Sequence, residues 1–165
     1  MFRAGSMTSG IRLLPCPVRT WRRAEYLAVG ADKAGLVTDR AFGNADTLAT
    51  SYSILSAAST QDKYDMIFCG KESLDGATGQ MGAQLAQRFE AAQVTGTLLI
   101  KEVNEEAKTA VVERELEDGV ETLEVKLPCL FTMEKVNYPA RIPNLKGKLA
   151  AKKAVITTIT ADDIP

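Results

Sequence analysis

The residues of this chain that most suggest chemistry lie between Asp65 and Gly82. A short apolar run, Met66, Ile67, Phe68 and Cys69, stops at Gly70, and an acidic, glycine-spaced loop follows. Met81, Leu85 and Phe89 then recur at helical spacing. Strand, loop and helix start, in that order, present backbone N–H groups to a phosphate, because the first N–H groups of a helix have no partner within it. The loop therefore suggests a nucleotide. Glycines after a strand also serve turn geometry alone, and both readings stand on these residues by themselves.

Other chemistries are excluded by what is missing. The chain has no histidine, which removes Ser-His-Asp and Cys-His catalysis and every histidine-bearing metal site. Cys16, Cys69 and Cys129 are far apart, with no CxxC pair for zinc, redox exchange or an iron–sulfur cluster. Cys69 and Cys129 sit in apolar runs and are expected to be buried packing residues. No catalytic residue and no metal ligand is assigned. A formal net charge of -1 gives no electrostatic case for nucleic acid, and no run reaches the length of a membrane span. Any chemistry is expected to come from a bound cofactor or a partner.

Around the loop, the elements read as α/β. Ala34 to Val37 is expected to be a short buried strand. Residues 44–46 offer capping groups, after which Leu48, Tyr52 and Leu55 mark an amphipathic helix reaching about Ala58. Met66 to Cys69 is the next strand, and residues 81–91 the next helix. That succession implies parallel βαβ units. The pattern then turns to β, with strands over residues 94–103 and 109–116 around a hairpin turn at Asn104, Glu105 and Glu106. Leu123, Val125 and Leu127 alternate with Glu124 and Lys126, the mark of a strand with one wet face. Pro128 ends it and a strand over residues 129–132 follows. Pro139 and Pro143 make residues 137–146 a loop, before a basic helix over 146–153 and a last strand over 155–159.

Four segments, in order, are similar to the beta subunit of electron-transfer flavoproteins over about residues 25–165. They are Gly30 to Lys33 with Ala45 to Thr50; Cys69 to Gly82; the run from Val112 to Thr132; and Asn137 to Pro139 with Arg141 to Gly147 and Ala151 to Lys153. The third is the most specific. Val112, Arg114, Glu117, Gly119, Glu121, Leu123, Pro128, Leu130 and Thr132 stand at the gaps of the family signature. Phe131 and Ala77 depart from it, standing where an aliphatic residue and an Asp are usual, and one extra residue lies between Pro139 and Arg141.

The resemblance implies a Rossmann-like parallel sheet with flanking helices and an added antiparallel β section. It also implies pairing with an alpha subunit that holds the electron-carrying FAD, with the beta subunit binding AMP or, in the electron-bifurcating branch, a second FAD. Thr38 to Arg40 with Ala45 to Tyr52 look most like anaerobic bacterial members, some of which bifurcate. The implied nucleotide site is lined by Gly70, Lys71, Glu72, Ser73, Leu74, Asp75, Gly76, Ala77, Thr78, Gly79, Gln80, Met81 and Gly82. Its glycines would allow close backbone approach, Thr78 and Gln80 would donate from side chains, and Asp75 would orient the loop or accept from ribose. Thr47 and Thr50, opening another helix, are further phosphate candidates. Leu145 falls on the loop by which the family docks acyl-CoA dehydrogenase partners, as in fatty acid β-oxidation. An exposed Leu there suits an anchor for a partner's pocket, or a capping contact on the helix that follows.

Family members are longer at both ends, so the expected organisation is a non-family extension over residues 1–24 and a partial beta-subunit domain over 25–165. The extension holds Arg3, Arg12, Arg19, Arg22 and Arg23 with no acidic residue before Glu25. It reads as the start of a truncated or mis-assigned frame in a cytoplasmic protein, or else as a mitochondrial transit peptide to the matrix. A partial domain is expected to bind nucleotide weakly or not at all by itself. The competing readings are a nucleotide hydrolase or stress-protein-like ATP binder and a non-functional gene fragment. Against the hydrolase, the loop lacks G-x-x-x-x-G-K-S/T, since Lys71 precedes the glycines.

Overall fold

The computed structural model describes residues 12–13, 26–60, 63–73, 76–135 and 142–164. Cys16 and most of residues 1–24, Leu74 and Asp75 of the loop, and the segment 137–141 lie outside the described residues. In chain order the elements are β1 (Arg12–Leu13), β2 (Lys33–Val37), α1 (Thr47–Ser59), β3 (Met66–Gly70), α2 (Met81–Arg88), β4 (Ala92–Asn104), β5 (Thr109–Leu116), β6 (Gly119–Lys126), β7 (Cys129–Met133), α3 (Leu145–Lys153) and β8 (Thr157–Ile159). This is a mixed α/β fold with parallel strands, helices and an antiparallel section. Its contacts fall into two compact units, one of Met1–Asn44, Ser56–Asp62 and Pro139–Pro165, the other of Ala45–Leu55 and Lys63–Tyr138.

In the first unit β1, β2 and β8 form a parallel sheet with β2 in the middle. Val37, Ala57 and Ile159 are buried together, with Phe42 and Ile164 packed against them. Asp39 ties two loops here, its carboxylate accepting from the Ala41 N–H at 2.9 Å and the Ala161 N–H at 3.0 Å. Helix α3 starts under Asn144, whose side chain accepts from the Gly147 N–H at 2.7 Å. Gly147 is required there, because a Cβ would run into the Ala28 carbonyl.

The second unit is built on a five-stranded sheet in the order β3-β7-β4-β5-β6. β3 and β4 both run parallel to β7, which lies between them, while β4, β5 and β6 form an antiparallel meander. Apolar β7 residues are fully covered because β7 is flanked on both sides: Cys129, Leu130 and Phe131 have no exposed surface. Val94, Ala110, Val112, Cys129 and Phe131 make one core cluster, and Leu85 and Ala86 of α2 close a second one over Leu130. The hairpin turn falls where the sequence puts it, with the Asn104 side chain accepting from the Glu106 and Ala107 N–H groups. The β6 alternation holds as well, with Leu123 and Val125 half-buried and Glu124 and Lys126 exposed.

Two expectations change. Helix α1 forms, but Leu48 and Tyr52 of its apolar stripe are 58% and 50% exposed, and the covered residues are Ser51, Ser56, Ala57 and Ala58. Small side chains let this helix pack closely, a signal weaker than a stripe of large apolar residues. Cys129 is buried as expected, whereas Cys69 is only partly covered.

Helix α2 also ends earlier than residue 91. Glu90 adopts a left-handed conformation (φ 51°), its N–H bonds to the Gln87 carbonyl, and the Ala91 N–H reaches back to the Ala86 carbonyl at 2.9 Å. That pair of bonds is a Schellman stop, satisfying carbonyls that the helix leaves free.

Candidate functional site

β3 delivers the chain to Gly70 at the end of the sheet, and α2 takes it up at Met81. Between them, the described loop residues are all exposed. Lys71 is anchored at once by an ion pair with Glu134, Nζ to Oε2 at 2.8 Å. Glu134 follows β7, the strand beside β3, and is held in turn by its own N–H to the Thr97 carbonyl. The hydrogen bond from Lys71 keeps the Glu134 carboxyl below its ordinary range, and Glu134 raises the Lys71 ammonium. Lys71 is thus engaged by a carboxylate.

Ser73 organises the middle of the loop. Its hydroxyl accepts from the Gly76 N–H at 3.2 Å and its carbonyl from the Ala77 N–H at 3.0 Å. The chain then takes two left-handed residues, Ala77 (φ 46°) and Gly79 (φ 62°). For Ala77 that conformation costs about 1–2 kcal/mol, whereas Gly79 adopts it freely.

Helix α2 opens with Gln80 at its N-cap, and the Gln80 side chain does not cap the helix. It turns to α1 instead. The Thr47 hydroxyl donates to Gln80 Oε1 at 3.0 Å, and Gln84 Nε2 donates to Thr47 Oγ1 at 3.1 Å. One turn further on, Arg88 donates from Nε to the Ser51 hydroxyl at 2.9 Å and from Nη2 to the Leu48 carbonyl at 3.2 Å, and it lies 5.5 Å over the Tyr52 ring. Gln80, Gln84 and Arg88 therefore seat one face of α2 on the first turns of α1. Among the described residues no side chain caps the first N–H groups of α2, which stand in a position suited to an anion.

Gly82 also serves a contact within the fold. It is buried, and a Cβ at this position would collide with the Thr132 methyl of β7. The close approach it allows is between helix and sheet. Among the described residues, Thr47 is hydrogen-bonded to the loop's end and Thr50 is not; the Thr50 N–H goes to the Asp46 carbonyl. Asp46 also caps α1, accepting from the Ala49 N–H at 2.8 Å. The sequence reading missed the α1–α2 contact. Its signal was a polar stripe, Gln80, Gln84 and Arg88 at i, i+4, i+8 facing Thr47 and Ser51 at i, i+4.

In the other unit, Leu145 is the first residue of α3 and is 73% exposed; Ile142 and Leu149 are exposed too. Among the described residues no three His, Cys, Asp or Glu side chains are grouped to hold a metal, and no helix is long and apolar enough to cross a membrane.

Comparison with known proteins gives consistent matches. The electron transfer flavoprotein domain family matches residues 16–164. The electron transfer flavoprotein subunit beta of Thermoanaerobacterium thermosaccharolyticum is 45% identical over 142 residues, covering 85% of this chain and 53% of that protein. The caffeyl-CoA reductase-Etf complex subunit CarD of Acetobacterium woodii is 41% identical over 140 residues, covering 85% and 52%. Protein FixA of Azorhizobium caulinodans is 37% identical over 141 residues, covering 83% and 50%. The chain spans about half the length of the curated relatives it matches.

Proposed function

Because the chain belongs to the electron transfer flavoprotein family, among its beta subunits, we propose that it is a carrier subunit that binds an adenine nucleotide at the β3–α2 loop and does no chemistry alone. In this reading it pairs with an alpha subunit, and a bound FAD supplies the electron transfer between a dehydrogenase and an acceptor. The observation that carries the nucleotide assignment is the helix entrance at Gln80 and Met81. Among the described residues its first N–H groups have no side-chain cap, it is reached through left-handed Ala77 and Gly79, and its cap side chain is fixed against Thr47. A phosphate fits that donor set. It would be held by the α2 N–H groups with Thr78 and Gln80, while Gly70 to Ala77 line the rest.

Lys71 stays with Glu134 and helps shape the loop, so phosphate charge is met mainly by backbone donors. Thr47 supports the site from α1. Leu145 is proposed as the anchor toward an acyl-CoA dehydrogenase-type partner, consistent with its exposure.

The test has two parts. Calorimetric titration of the chain paired with an alpha subunit, with AMP and with FAD, is expected to give saturable binding to one of them that Gly79→Val abolishes, because valine cannot adopt the Gly79 conformation. Co-expression with an alpha subunit then counts flavins: one per heterodimer assigns the site to AMP, two to a second FAD. No binding of either nucleotide would reject the assignment, and steady phosphate release from ATP would reject the carrier reading.

A further inference from the structure

The Thr47–Gln80–Gln84 contact has a direction. Gln84 spends an amide N–H on the Thr47 oxygen, and the single Thr47 proton goes to Gln80 Oε1. The acceptor end of Gln80 is thereby used. What it keeps is its NH2 group, on an exposed side chain immediately before the uncapped N–H groups of α2. Gln84 Oε1, meanwhile, is buried with no hydrogen-bond partner among the described residues. An apolar core position would avoid that cost, so the amide at residue 84 gains the fold little beyond its one bond to Thr47.

We infer that Gln84 and Thr47 are positioning residues, a two-member relay that turns Gln80 into a donor and sets the loop for an anionic phosphate rather than for a neutral ligand end. The inference rests on the nucleotide reading above and replaces the sequence expectation for Thr47. Thr47 acts through Gln80, not as a phosphate ligand itself. Its hydroxyl proton is committed, and moving that proton to a ligand would free Gln80 to turn its carbonyl toward the same charge. Gln80 is the residue that touches the phosphate. Reversing the relay places an acceptor beside the anion, an arrangement that repels it.

Gln84→Met separates this role from a merely structural one. The variant keeps side-chain volume and removes the buried unpaired oxygen, so it melts at or above the temperature of the unchanged chain. Its affinity for AMP is nevertheless expected to fall by about tenfold, the equivalent of one net charge-assisted hydrogen bond, while adenosine, which lacks the phosphate, binds as before. Thr47→Val should act in the same way and Thr47→Ser should restore AMP binding. Unchanged AMP affinity in Gln84→Met, or equal losses for AMP and adenosine, would overturn the relay. If the unchanged chain, paired with an alpha subunit, binds no adenine nucleotide, the nucleotide reading fails. The relay is then decided by NMR, where the Gln80 side-chain NH2 resonances should shift in both Gln84→Met and Thr47→Val; unmoved resonances reject it.

Discussion

Gly82 illustrates how a single residue type can be legible while its reason is not. Its place in a glycine-spaced loop pointed to a ligand, and the missing Cβ also makes room for the Thr132 methyl. Alanine at this position gains up to about 1 kcal/mol in helix propensity. The added carbon lands on a buried strand residue with nowhere to move, and such overpacking costs about 1–3 kcal/mol. Gly82→Ala is therefore expected to lower the urea midpoint. Thr132→Ser removes the offending methyl and keeps the hydroxyl that accepts from the Gly96 N–H. The double variant should recover stability relative to the sum of the singles by about 1 kcal/mol, a coupling that a double-mutant cycle reads directly. Additive losses would mean that the two side chains do not meet.

Among the elements, helix α2 carries the clearest prediction. Its stop depends on Glu90 at φ 51°, a conformation that costs an L-residue about 1–2 kcal/mol and glycine nothing. Glu90→Gly should stabilise the chain, by up to about 1 kcal/mol once the greater freedom of the unfolded glycine is subtracted. Thermal melting checks it, and a lower midpoint would show that the Glu90 side chain contributes more than its backbone strain costs. At this scale much of the fold was readable. β5 and β7 lie where a continuous apolar or alternating pattern has one interpretation, and Asn104 marks its turn by local chemistry alone. α1 was readable as a helix and misread in its facing, because Ala57 and Ala58 are buried by virtue of being small while Leu48 and Tyr52 stay exposed. That β3 pairs with β7 was not readable, since its partner lies far along the chain. The loop's residues were found from their glycines. The Thr47–Gln80 bond, between positions 33 apart, was not.

At the scale of the whole molecule, the charge inventory sets the response to pH. The chain has no histidine, so the side chain that ordinarily titrates near neutrality is missing. Asp39, whose carboxylate accepts the Ala41 and Ala161 N–H groups, Asp163, which accepts from Thr160, and Glu134, paired with Lys71, all have carboxyls held below their ordinary values. Their contributions are fully present above those ordinary values of 3.8 to 4.5, and are lost as pH falls through the lowered ones. Burial pushes the Cys129 thiol from 9.0 up to about 11. The folded state then holds a proton that the unfolded chain has released, so stability is intact below 9 and falls as pH rises toward 11. Urea midpoints should form a plateau from about pH 6 to 8, with an acid limb and an alkaline limb. Cys129→Ala should flatten the alkaline one, and a step near neutrality would contradict the scheme.

The seat of Gly82 on Thr132 has one more consequence, for anyone who wishes to know what the loop holds. Thr132 lies in the strand that supplies Leu130 and Phe131 to the core, so the helix entrance is riveted to a buried strand of the kind expected to open only with the whole unit. Whatever occupies the entrance is paid back by mass action on that opening, by RT ln(1 + [L]/Kd). A thermal-shift screen of phosphorylated and unphosphorylated small molecules would then identify the natural occupant through the melting temperature alone, with no label and no redox partner.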